Sequence, residues 1–419
     1  MRTRCRTLIQ GGLIVAALAV GASAAAADPV TDWNAFAVTT MSAAGATRPG
    51  PSGILDLAMV HAAIHDAVQA YQQRFESYDT AITGASGSPV AALSKAARDV
   101  LVTRLPAQAA TIDAFYNNYL AAHSLLPTDA GTLVGQQAAI NIINRRANDG
   151  SFPPNPETFV GGTEPGQWRP TPPAFAPMAA PWLGKVTPFA LKDTDTVLPE
   201  PPPPQLHSGE YARDYDEVMR LGSSNSTERT AEQTDLAYFY SGNITAVLEQ
   251  MMRTVAIANL IDIGDTARLF ALANFAMADA VISAWVNKRT YFVWRPSTAI
   301  NNGDDDGNPR TKGDPNWKPL IVNPPYPDYT SGANSVGGAA SRSLKHFFGT
   351  DDMTFVATSV GNQGPTTPRT YTRFSDIAND LVEARIYLGI HFRFADTVAR
   401  RQGRQAADWA FAHVLKPLH

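Results

Sequence analysis

Apolar residues recur at three- and four-residue spacing through most of this 419-residue chain, a period that admits helices and little else. Residues 54–71, 89–105, 108–123 and 129–146 carry it with Ala, Gln and Arg between the apolar positions, which predicts an N-terminal bundle of four helices. The pattern resumes at Ser208, with Glu210 in the first turn, and predicts further helices over 226–240, 245–263, 266–291, 331–348, 376–394 and 397–414. The 266–291 segment is apolar on most sides and is expected at the centre of the core. Alternating strand patterns are nearly absent, so the expected fold class is all-α, built from helical bundles.

Between the two helical halves the period collapses. About half of the 31 prolines fall between Ser151 and Gln205, ending in the run Pro201 to Pro204. Phe159, Trp168, Phe175, Trp182 and Phe189 supply aromatic anchors, so 151–207 is read as an ordered wrap or connector, with a disordered linker as the alternative. The resulting organisation is 28–150 as an N-terminal half, 151–207 as the connector and 208–419 as a C-terminal half, with 28–419 forming one compact unit.

Residues 1–27 read as a secretory signal peptide: Arg2, Arg4 and Arg6 precede an apolar run from Leu8 to Val20 that ends in small residues. Cleavage is expected near Ala27, giving a secreted or periplasmic protein. The single cysteine, Cys5, would leave with the leader, which excludes disulfides and thiolate chemistry from the mature chain. Removing the three arginines takes the formal net charge from −4 to about −7, an acidity that argues against a nucleic-acid surface. No later stretch reaches roughly 18 uninterrupted apolar residues, so no integral membrane segment is expected in the mature chain.

Against this acidity, a few cations stand in apolar surroundings. Lys288 and Arg295 are seven residues apart, which on one helix returns both to nearly the same face, with Pro296 stopping the helix at the second. Two cations on an apolar face are costly unless an anion meets them; snorkelling surface cations are the alternative. Ser331 and Gly332 stand where a helix pattern begins after Pro324-Pro325-Tyr326-Pro327-Asp328-Tyr329-Thr330, an anion-binding corner or a plain N-cap. Arg385 and His391 are six apart, about 120° on a straight helix, so meeting one ligand requires a bend, expected at Gly389.

Taken in order, these blocks resemble the signature of the vanadium-dependent haloperoxidase and type 2 phosphatidic acid phosphatase superfamily: Lys, six residues, Arg-Pro; then Pro-Ser-Gly-His; then Ser-Arg, five residues, His, three residues, Asp. The first block is intact from Lys288 to Pro296, and the text of 291–300 and 306–340 is similar to the bacterial secreted haloperoxidase-type branch. The resemblance implies that His391 is the axial ligand of vanadate, or a phosphorylated nucleophile. It implies that Lys288, Arg295 and Arg385 neutralise the equatorial oxygens, and that Ser331 and the Gly332 amide donate to them. Phosphate would fit the same site. The departures are Thr330 for the Pro of the second block, Ala333 for its His, Ala384 for the Ser of the third and Ala395 for its Asp, with Asp396 one place later. The missing His is the family's acid or base, worth about 10²- to 10⁴-fold in ester hydrolysis.

What the resemblance then implies is a vanadate enzyme that oxidises halide, bromide or iodide before chloride, with hydrogen peroxide and passes the halogen to an organic acceptor. An exported acid phosphatase acting on a phosphate ester with His391 as nucleophile is the alternative, and a non-catalytic oxyanion-binding protein is the third. Elsewhere, His61 and His65 share a helical face, but Ala62 replaces the Glu of a zinc-protease helix, so packing is expected. The loop of Asn302, Asp304, Asp306 and Gly307 copies the start of a calcium loop and ends on Gly313 instead of Glu, so a solvated turn is expected.

Overall fold

Most helices of this chain begin at a residue able to occupy the unpaired amides of the first turn. Asp28 accepts from Val30 and Thr31 to open α1 (Pro29–Met41), Ser88 with Pro89 behind it opens α3 (Pro89–Arg104), and Asp262 accepts from Gly264 and Asp265 to open α9 (Ile263–Tyr291). The computed structural model describes residues 28–43, 45–151, 157–193, 200–259, 262–359 and 363–418. Residues 1–27, with the expected signal peptide and Cys5, lie outside them, as do short pieces of the connector.

The remaining helices are α2 (Gly53–Gln72), α4 (Ala109–Ala122), α5 (Gly131–Arg145), α6 (Gly209–Leu221), α7 (Ala231–Phe239), α8 (Ile244–Ala258), α10 (Pro296–Asn301), α11 (Gly332–Phe348), α12 (Phe374–Tyr387) and α13 (Arg393–His413). The all-α expectation holds with one exception. A hairpin of β1 (Asp352–Ala357) and β2 (Arg369–Arg373) pairs Phe355 with Tyr371, and its strands are too short to announce themselves by alternation. Helix α1 was not anticipated either, and the predicted 376–394 helix stops at Tyr387.

Helix α9 is the axis. It packs on α2 from the N-terminal half and on α11 and α13 from the C-terminal half, and one continuous cluster of buried apolar side chains runs from Val30 to Leu415. At 29 residues it is long and apolar enough to cross a membrane, yet 94% of its most apolar window is buried inside the protein. Helices α11 and α13 approach so closely that the Gly403 backbone lies against Ser335 and Ala339.

The connector is ordered where described. Trp168, Trp182 and Phe189 are buried and Phe159 packs against the core. Phe175 departs from its expected role as an anchor and is 63% exposed, on a turn closed by its amide donating to Thr171. Asp279, fully buried on α9, fixes the segment by accepting from the amides of Phe189, Ala190 and Leu191 at 2.6, 2.8 and 2.8 Å. Further along, Ala179 donates to Pro325 and accepts from the Trp285 indole at 3.2 Å, so the wrap supports the loop that carries Asp328.

His61 and His65 are both fully buried and take separate partners. The His61 ring lies 2.8 Å from the Asn34 amide and stacks on Phe270, while His65 lies 3.1 Å from the Glu76 carbonyl. In the 302–307 loop, Asp306 accepts from Asn308 and Thr311, and Asp304 from Gly313, which satisfies the turn internally. No cluster of three metal-ligating side chains occurs among the described residues.

Two outcomes follow for stability. Asp279→Ala strips three buried amides of their acceptor and is expected to cost about 3–5 kcal/mol, read from the denaturant midpoint; a loss below about 0.5 kcal/mol would show that the wrap is held elsewhere. Glu249 of α8 is fully buried against the Asn34 amide, and burial pushes its carboxyl up to about 7 from 4.5. A raised carboxyl favours the fold while protonated, and that contribution disappears as pH rises across this interval. Glu249→Gln is therefore expected to raise the melting temperature at pH 8 and to leave it near wild type at pH 4.5; equal destabilisation at both would contradict this.

Candidate functional site

Lys288 sits in the last turn of α9, fully buried. Its Nζ donates to the carbonyls of Pro327 and Asp328 at 2.5 and 3.0 Å and lies near the faces of Tyr326 and Trp285, 5.0 and 5.4 Å from the ring centroids. Arg295 does not share that helix, contrary to the sequence reading. Helix α9 ends at Tyr291, Phe292 turns the chain with φ 29°, and Arg295 is the N-cap of α10 with Pro296 behind it. The heptad spacing survives as proximity because the chain turns back immediately. Arg295 Nε donates to Tyr326 O at 2.8 Å, Nη1 donates to Ile390 O at 2.6 Å and lies 3.1 Å from His391 Nε2, and Nη2 is buried with no partner.

Ser331 caps α11, its hydroxyl 3.5 Å from the Asn334 amide, and its own amide donates to Ala395 O. Gly332 is the first helical residue, so its N–H has no carbonyl one turn back. A side chain there is excluded: a Cβ would stand 2.8 Å from the Trp285 ring.

Arg385 and His391 are brought together by a chain reversal instead of a bent helix. Helix α12 stops at Tyr387, and Gly389 takes φ +75°, where a Cβ would also fall 2.3 Å from Gly222 O. The expected bend is thus at Gly389, but His391 stands in the link before α13. Arg385 Nη1 donates to Tyr240 O at 2.9 Å, while its buried Nε has no partner.

The group that sequence reasoning missed is Asp328. Fully buried, it places Oδ1 2.7 Å from His391 Nδ1 and 3.7 Å from Arg295 Nη1, the histidine contact lying off the line of a good hydrogen bond. Burial pushes its carboxyl up to about 7 against the pull of Arg295 and Lys288. Burial, then Arg295, Lys288 and Arg385, hold His391 well below its usual range, so its imidazole is neutral. Because a guanidinium only donates, Nε2 facing Arg295 is the lone-pair nitrogen and the proton belongs on Nδ1, toward Asp328. The string Pro324 to Tyr329 contained this residue, but an acid beside two cations carries no spacing rule that marks it.

Asp396, one place beyond the signature position, is also fully buried. It bonds Ser331 and accepts from Asn334 Nδ2 at 2.7 Å, and burial raises its carboxyl well above the usual range. It supports the α11 corner, and Asp328 takes the place beside the histidine. The structure sets Arg295 against His391, with Lys288 and Arg385 near enough to act on that imidazole by charge and Ser331 tied to Asp396, and Gly332, Ala333 and Arg385 line a cavity of about 1260 Å³.

Residues 268–419 match the family model described as the VCPO second helical-bundle domain. The vanadium chloroperoxidase of Curvularia inaequalis is 28% identical over 207 residues, which are 42% of this chain and 33% of that protein, so the match spans about a third of the relative's length. Among solved structures, a bacterial vanadium-dependent iodoperoxidase superposes with a TM-score of 0.77 at 25% identity over 93% of this chain and 97% of that one. A bacterial vanadium-dependent chloroperoxidase in its apo form gives 0.70 at 18% identity over 86% and 93%, a likeness of fold. Residues 268–419 are thus similar to the second helical bundle of vanadium chloroperoxidases, and the fold of the described chain is similar to that of the bacterial vanadium-dependent iodoperoxidase.

Proposed function

We propose that this protein is a haloperoxidase that oxidises halide with hydrogen peroxide at a vanadate held by Lys288, Arg295, Ser331, Gly332, Arg385 and His391. The observation that carries the reading is a set of buried donors with nothing to donate to, Arg295 Nη2 and Arg385 Nε, grouped with Lys288 around the lone pair of a neutral imidazole. Buried donors are rarely left unpaired, and a tetrahedral oxyanion fits this set in charge, shape and hydrogen bonding. Phosphate satisfies the same donors.

Vanadate held there would supply a Lewis-acidic centre able to activate hydrogen peroxide toward halide. The chain supplies the rest. Lys288, Arg295 and Arg385 offset the negative charge of the oxygens, and Ser331 and the Gly332 amide donate to them from a helix start. His391 Nε2, which faces Arg295 at 3.1 Å, would be the nitrogen that holds vanadate, and Asp328 beside Nδ1 favours the ring proton on that nitrogen, as carboxylates behind ligating histidines do. Ala333 brings no acid to the site, so the protons that leave as water come from peroxide and solvent. Bromide and iodide, more easily oxidised than chloride, are the halides suited to a site lacking that acid. The phosphatase reading is weakened by the same alanine, because an alkoxide leaving group needs the missing donor.

Two further elements belong to this reading. Export to the periplasm or beyond is supported by the composition of residues 1–27. A single folded unit over 28–419 is supported by the continuous apolar cluster and by contacts of α9 with both halves.

Protein loaded with orthovanadate is expected to form triiodide from iodide and peroxide. His391→Ala and Lys288→Met are each expected to lower that rate by about 10²-fold or more and to weaken vanadate binding measured by calorimetry. Full turnover in His391→Ala, or phosphate release from an aryl ester that vanadate inhibits in place of halide oxidation, would refute the assignment.

A further inference from the structure

The cavity that ends at the oxyanion cage is far larger than halide and peroxide require. Open on one side to solvent, it offers about 1260 Å³, whereas a water-sized reactant occupies about 30 Å³ and pockets of roughly 300–1,000 Å³ hold drug-sized organic molecules. Its walls include Val38 and Met41 of α1, Leu57 of α2, Ile257 of α8 and Val336 of α11. Where the signature has histidine, Ala333 leaves the inner end open beside Gly332 and Arg385.

The charge of this space is one-sided. Arg48, Arg253 and Arg385 line it, and no aspartate or glutamate does. The three are not equivalent. Arg48 is neutralised by Asp56 at 2.7 Å, and Arg385 belongs to the cage. Arg253 hydrogen-bonds to the neutral side-chain oxygen of Asn34. The acid one turn earlier, Glu249, is fully buried, bonds Asn34 Nδ2 at 2.7 Å and does not line the cavity. A cation on the wall of a mostly apolar cavity that no acid lines favours a ligand that brings the opposite charge.

We propose that this cavity binds an organic anion, an electron-rich aromatic or enol whose carboxylate pairs with Arg253 while its reactive carbon reaches the opening left by Ala333. This rests on the haloperoxidase reading and adds to it the class of acceptor. Halide, hydrogen peroxide and one proton give hypohalous acid and water, the halide losing two electrons as the O–O bond is reduced. The acceptor carbon takes the halogen, and its C–H proton leaves with the hydroxide as a second water. An acceptor seated here receives the halogen before hypohalous acid escapes to solvent.

The test compares 3-(4-hydroxyphenyl)propionate with its methyl ester, which share ring electronics and differ in a remote charge. Vanadate-loaded protein is expected to iodinate the carboxylate with kcat/KM about tenfold above the ester. Arg253→Gln is expected to bring that ratio close to one by raising KM for the carboxylate, each rate being normalised to triiodide formation by the same variant. Ile257→Trp, at a wall position 40% exposed and tolerant of substitution, is expected to raise KM for the carboxylate several-fold by filling the cavity. Equal turnover of acid and ester by the wild type would overturn the proposal, since freely diffusing hypohalous acid halogenates both alike. Calorimetry without vanadate or peroxide reads binding directly: saturable heat from the carboxylate that Arg253→Gln abolishes supports the pocket, and no heat with wild type overturns it. Carboxylate binding without any triiodide formation would support the pocket and overturn the haloperoxidase reading.

Discussion

Three cations buried within one helical core set the terms for the rest of this structure. Lys288, Arg295 and Arg385 have lost nearly all contact with water, and burial lowers the proton affinity of each. Two buried acids, Asp328 and Asp396, share the region, but burial raises both, so they offset the cations incompletely. Such a cluster persists only if surrounding packing holds it and if an anion completes it. Carbonyls of Tyr326, Pro327, Asp328, Ile390 and Tyr240 take up donors on the protein side, and the unpaired donors are left for the ligand.

The helices were legible because each must bury a stripe, and α2, α3, α4 and α5 fall within one or two residues of the periodic segments. Lys288, Arg295, Ser331, Gly332, Arg385 and His391 were legible as a set because their order and spacing resemble a known signature. The local geometry was not. A heptad reads the same whether the helix continues or ends at Tyr291, and nothing in the composition of 376–394 shows that Gly389 must adopt a left-handed conformation against Gly222. That reversal is decided by a tertiary contact, which is why an extended helix was expected where the chain doubles back. Asp328 escaped notice for a related reason: its role depends on a fully buried imidazole 63 residues away in sequence.

The departures from the signature make a consistent picture once placed in space. Loss of the histidine at 333 removes a proton donor and enlarges the space beside the cage. Displacement of the acid to Asp396 ties it to Ser331 and Asn334, away from the position the signature gives it. Asp328 then stands as the carboxyl beside His391. Chemistry in such a site depends less on a dedicated proton relay and more on charge and on what the adjoining space admits.

Helix α9 also bears on how the chain could cross a lipid bilayer. Twenty-nine residues of such composition resemble a stop-transfer segment, and an exported polypeptide that carries one risks being arrested in the translocation channel. Asp279 stands near the middle of that stretch, with Asn274 and Ser283 a turn or so to either side. An aspartate at the centre of a would-be span opposes partitioning into lipid by about 3 kcal/mol. On the proposed route of export, the carboxylate that clamps the proline-rich wrap in the finished fold would also bias the unfolded segment toward passage and away from anchorage.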